Sequence, residues 1–179
     1  MKILNKIVFT ICLMLLAVFS FAGDGYKKIN QQQYLPDAVK DFYIGMPFSE
    51  FVKLRDITKM DQDNSYSSTY LQYGDQTVPK GLVNIVYKFD SDDPDATRPL
   101  AASPLYEIRL EFENGYDING LTAKLYGPAK DIYKEGDDYH FYDKQWIVTT
   151  KDKLTLIIRQ TGNYLMIAGV IKGTEWSTE

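Results

Sequence analysis

The sequence predicts an α+β fold, an antiparallel sheet with short helices on one face, and three observations carry that prediction. Residues 139–171 hold three apolar runs separated by two short polar breaks. Residues 106–113 alternate between apolar and charged side chains. Two short stretches with helical spacing, each bounded by glycine or proline, precede groups of strand-like segments. Strands that come in groups rather than alternating one by one with helices fit an antiparallel sheet better than a parallel one.

The three apolar runs are the scaffold. Leu154, Leu156 and Ile158 fall on one face at period two, with Thr155, Ile157 and Arg159 on the other. Trp146 and Val148 share a face, as do Tyr164, Met166, Ala168 and Val170. Thr150–Lys153 and Thr161–Asn163 are short and polar, with Gly162 and Asn163 suited to positive φ, so the runs read as a meander of hairpins. The third run is apolar on both faces, as a central or covered strand would be.

Read from its start, the chain opens with a targeting signal. Lys2 and Lys6 precede an apolar run, Ile7–Phe21, and Ser20-Phe21-Ala22 supplies a cleavage site after Ala22. The expected organisation is a signal peptide at 1–22, a flexible leader at 23–33 and one α+β domain at 34–179, in a periplasmic or secreted protein. The run is short for a spanning helix, and no membrane span is expected after cleavage. The single cysteine, Cys12, lies inside the signal, which excludes disulfides, thiolate metal sites and a cysteine nucleophile from the mature chain. Removal of 22 of the 179 residues leaves 157, enough for one core. It also takes two of the 20 basic residues and none of the 24 acidic ones, for a net charge of −6. With no basic stripe, nucleic acid is not an expected partner.

Leu35, Ala38, Val39 and Phe42 form a helical stripe within Tyr34–Ile44, opened by Pro36. A second helix is expected from Pro47 to about Ile57, with Phe48, Phe51, Val52 and Leu54 or Arg55 along one side. Residues 58–68 read as a loop, Thr69–Tyr73 as a weak strand and Leu82–Phe89 as a strong one, with Val83, Ile85, Tyr87 and Phe89 on one face. In Tyr106–Glu113, Ile108, Leu110 and Phe112 are expected inside and Glu107, Arg109, Glu111 and Glu113 outside. Ile118–Tyr126 is a short helix stopped by Gly127-Pro128, and residues 129–138 read as an acidic loop. Each helix precedes three strand-like segments, which suggests two α-β-β-β units.

The segments Ile44-Gly45-Met46-Pro47, Phe51-Val52-Lys53-Leu54 and Leu125-Tyr126-Gly127-Pro128, with Trp146 in a following strand, resemble small exported bacterial domains of the β-lactamase-inhibitor-protein type. They are also similar to the small lipoproteins of the outer-membrane assembly machinery. The resemblance implies a domain that pairs short helices with an antiparallel sheet and binds other proteins. The chain departs from the lipoprotein branch at Cys12, which has no small residue beside it and lies within the apolar run.

Motifs for chemistry are sparse. His140, the only histidine, has Asp137, Asp138 and Asp143 near it in sequence, but one imidazole falls short of a usual metal set, and a solvated histidine is favoured. Loops starting at Asp90 or Asp61 both miss the glycine and the closing glutamate of a helix-loop-helix calcium site. Glu111 and Glu113 are spaced like a glycosidase pair, yet a charged solvent face accounts for the alternation. No Gly-x-Ser-x-Gly, Ser-x-x-Lys or phosphate loop is present. No catalytic residue, metal or cofactor is therefore expected. The expected function is an exported, non-catalytic module that binds a protein or envelope component. The alternatives are a module taking a small or carbohydrate ligand through its tyrosines, then an unfamiliar hydrolase. The candidate recognition element is the acidic, proline-rich stretch Asp90–Pro104, with Asp92, Asp93, Asp95 and Arg98 as its charged residues.

Overall fold

Eight strands form one antiparallel sheet in the computed structural model, which describes residues 25–63, 70–90, 99–132 and 142–177. They are β1 (Asp61–Asp63), β2 (Tyr70–Asp75), β3 (Leu82–Asp90), β4 (Leu105–Phe112), β5 (Asp131–Ile132), β6 (Lys144–Thr149), β7 (Thr155–Thr161) and β8 (Tyr164–Gly169). Among the described residues three short α-helices accompany them: α1 (Lys28–Gln31), α2 (Phe48–Leu54) and α3 (Ile118–Tyr126). The chain is thus α+β, with an antiparallel sheet.

The strand order is β1-β2-β3-β4-β8-β7-β6-β5, which reads alike from either edge. Each half runs helix, one very short strand, then a three-strand meander. The two meanders join through their last strands, β4 and β8, where Ile108 faces Ile167 and Arg109 faces Met166. The very short strands β1 and β5 fall where loops were expected. Their three and two residues are too few to show a period.

The helices lie on the face formed by Ile85, Tyr87, Phe89, Ile108, Leu110, Leu156, Ile158, Leu165 and Ile167, all buried. α2 places Phe48 and Phe51 against the rings of Tyr73, Tyr87 and Phe89, with centroids 5.0–6.4 Å apart. It is shorter than its apolar pattern, and Val52 and Leu54 remain exposed. α3 has the expected bounds because both ends carry their own signals. Asp117 accepts from the Gly120 amide at 2.8 Å, and Gly127 takes φ 69° just before Pro128. Tyr126 packs on Trp146, whose indole donates to the Gly127 carbonyl at 3.0 Å.

Two expectations near the amino end need correction. The stripe at 34–44 is not a helix: only Asp37–Val39 forms a 3-10 turn, although Leu35, Val39 and Phe42 are all buried as the stripe implied. The expected leader at 23–33 includes α1, whose buried Gln31 both donates to the Ile44 carbonyl and accepts from its amide at 2.8 Å. This side chain acts as a strand partner for Ile44. The chain then turns at Gly45 (φ 92°) and pairs with Leu105 through Gly45 and Met46. Tertiary pairing over residues 44–48 thereby overrides helical spacing.

Val83, expected inside, is exposed. A register shift between Leu82 and Asn84 turns it outward, while Ile85, Tyr87 and Phe89 keep the inner face.

Candidate functional site on the back of the sheet

The face away from the helices carries the chemistry. One row across it runs Gln72, Lys88, Glu107, Ala168, Ile157, Ile147; the next runs Val86, Arg109, Met166, Arg159, Gln145. Alternation puts all these residues on one side, because Ile85, Tyr87, Ile108, Leu110 and Ile158 point to the other.

Glu107 was expected in solvent, but it is fully buried. Its cross-strand neighbour Lys88 is also buried and stands 3.3 Å away. The segment after β8 explains both. The chain turns back at residues 170–177, and the Trp176 indole donates to Glu107 Oε2 at 2.8 Å. Glu175 stands 3.7 Å from Lys88 Nζ and accepts from the Tyr106 hydroxyl at 3.3 Å. Arg109 Nε completes the contacts of Glu107. Burying a carboxylate and an ammonium together costs several kcal/mol in desolvation, and the pair persists only with such additional hydrogen bonds. Of the four charged residues expected on this face of β4, Arg109 and Glu113 are exposed and Glu111 is half-buried. Glu111 accepts from the Tyr164 hydroxyl at 3.0 Å, which raises the Tyr164 pKa.

Beside the sealed pair lies an open groove of about 520 Å³, lined by Arg109, Arg159, Thr161, Tyr164, Met166 and Trp176, among others. Arg159 is held there by three neighbours. Its Nε donates to Gln145 Oε1 at 2.8 Å. Its guanidinium carbon sits 4.7 Å from the Tyr142 ring centre and 4.9 Å from that of Trp176. The planar head is thus held by two aromatic rings and one amide. Periodicity could not single it out; a lone charge on an otherwise uncharged strand was the one signal the sequence held.

A second hollow, of about 530 Å³, lies near Arg55, Lys59 and Asp75. Arg55 there is paired with Asp75 at 3.3 Å and lies over the Phe42 ring at 4.7 Å, so its charge is already engaged.

Asp92, Asp93, Asp95 and Arg98 lie outside the described residues, as does His140. Asp61, the start of one calcium candidate, sits in β1 and accepts from the Gln76 amide at 2.6 Å. Among the described residues no cluster of three or more potential metal ligands occurs, and no helix is long and apolar enough to cross a membrane. Comparison of the chain with models of known protein families, with curated proteins and with solved structures gives no match.

Proposed function

We propose that this protein is an exported, non-catalytic module that binds a protein of the cell envelope through the back of its sheet. The observation that supports this reading is the asymmetry of the two faces. Helices cover one face, while the other presents Tyr164, Ile147, Arg109 and the groove beside Trp176, with Tyr164 46% and Ile147 42% exposed. Large apolar and aromatic groups set among charges on an accessible face are the composition of a protein-binding surface. Ile147 is exposed on the same face but outside the lining of the groove, and apolar surface extending beyond the pocket favours a protein over a small carbohydrate. The resemblance to small exported domains that bind proteins points to a protein partner, and the apolar run with Ser20-Phe21-Ala22 supports export.

A photo-crosslinking amino acid tests the reading in the protein's own cells. Placed at Tyr164 or Ile147 it should yield a discrete adduct with an envelope protein, and placed at Lys53 on α2 it should not. Equal adducts from both faces, or none from the sheet, would remove the back of the sheet as the binding surface. N-terminal sequencing of the mature protein should begin at Gly23; Met1 retained in a membrane fraction would replace export with anchoring.

A further inference from the structure

We infer that the groove beside Trp176 recognises a carboxylate side chain on the partner protein, with the guanidinium of Arg159 as its receptor. The inference rests on the binding reading above and names what the partner must carry. Arg159 and Arg109 flank Met166 on neighbouring strands, in the register Arg109, Met166, Arg159. Two inter-strand steps separate their backbones by about 10 Å. Side chains of that length can meet a single anion from both sides.

The two arginines differ in what they already hold. Arg109 contacts Glu107, which is shared with Lys88 and Trp176. Arg159 has no carboxylate within ion-pair distance among the described residues. Its Nε is satisfied by Gln145, and its guanidinium carbon lies 4.7 Å from the Tyr142 ring centre and 4.9 Å from that of Trp176. What remains is the terminal pair of nitrogens, the edge that matches a carboxylate in a two-point fork. An arginine fixed this way loses little side-chain freedom on binding, which is the main cost of ordering such a group at an interface.

The surrounding charges set the strength. Lys88, Arg109 and Arg159 are matched in number by Glu107, Glu175 and the rim carboxylate Glu111, so only the open edge of Arg159 is left to take one further negative charge. The field therefore selects a single carboxylate rather than an acidic run. Met166, Tyr164 and Trp176 offer apolar surface next to the fork, so the matching segment carries one Asp or Glu beside a large apolar residue.

The test is to pan a random 12-residue peptide library against the mature protein. The expected result is enrichment of peptides with one acidic residue next to an aromatic or aliphatic one. Their affinity should fall roughly tenfold to a hundredfold on Arg159→Gln, fall less on Arg159→Lys, and hold on Lys53→Gln. The thermal midpoints of these variants should match the parent, which separates lost recognition from lost folding. Enriched peptides without an acid, or peptides bound equally by Arg159→Gln, would overturn the carboxylate assignment and leave the binding surface standing. A library that enriches nothing would count against both. Sub-millimolar binding of glutarate alone, read from the Trp176 indole resonance, would overturn the protein partner in favour of a small carboxylic acid.

Discussion

The two faces of this sheet solve different problems with the same strands. On the inner face, Tyr73, Tyr87 and Phe89 meet Phe48 and Phe51 of α2, and burial of aromatic area does the stabilising. On the back, one row holds a charged pair sealed by residues 170–177, and the next holds an arginine left open. The same alternating pattern thus gives an apolar face, a buried ionic site and an accessible groove. Charge on a strand does not by itself mean solvent; what decides is whether a later segment returns to cover it.

The largest effect should come from the inner face. Phe51 is fully buried and touches the rings of Phe42, Phe48, Tyr73, Tyr87 and Phe89. Phe51→Ala should cost about 3–5 kcal/mol by urea unfolding. A cost under about 1 kcal/mol would mean that α2 does not hold the sheet and that the two faces are more alike than their packing implies.

Next comes the sealed pair. Lys88→Met leaves Glu107 buried with Arg109 and Trp176 as its remaining partners. Loss of one member of a buried pair typically costs 3–5 kcal/mol, and the residual partners should hold the cost near the lower end, about 3 kcal/mol. The double variant Lys88→Met, Glu107→Leu should recover part of that loss, because no uncompensated charge remains. If Lys88→Met alone is neutral, residues 170–177 do not exclude water from Glu107, and both rows of the back face are open.

How much of this could be read beforehand divides along the same line. The strands β3, β4, β6 and β7 were legible because inward-facing residues recur at period two along most of each, and β8 because it is an apolar run set off by a polar turn. Helix α3 was legible from the spacing of Ile118, Leu121 and Leu125 and from Gly127 and Pro128, which are local stop signals. Burial of Glu107 was not legible. Alternation says that Glu107, Arg109 and Glu111 share a side, but the cover comes from Trp176, 69 residues away in the chain. The site at Arg159 was hidden for the same reason, since Tyr142, Gln145 and Trp176 converge on it only after the sheet forms. The candidate recognition element proposed from sequence, the Asp92–Arg98 cluster, drew attention by its composition. The groove draws attention by geometry, which composition does not encode.

The smallest expected effects make the sharpest test, because one chemical change can be made on both faces. Tyr126 on the inner side is partly buried against Trp146, burial raises its pKa, and its hydroxyl donates to the Tyr34 carbonyl at 2.9 Å. Tyr164 on the back donates to Glu111 at 3.0 Å with nearly half its surface in water. Removing either hydroxyl as Tyr→Phe deletes one hydrogen bond of similar length. At Tyr126 the carbonyl is left without that partner away from solvent, so the cost should be about 1 kcal/mol. At Tyr164 water replaces the lost partner, and the change should stay within about 0.5 kcal/mol. Paired denaturation curves on the two variants measure the contrast directly. Equal losses would show that the back face around Tyr164 is shielded, and the groove beside it would then be a poor place for a partner to dock.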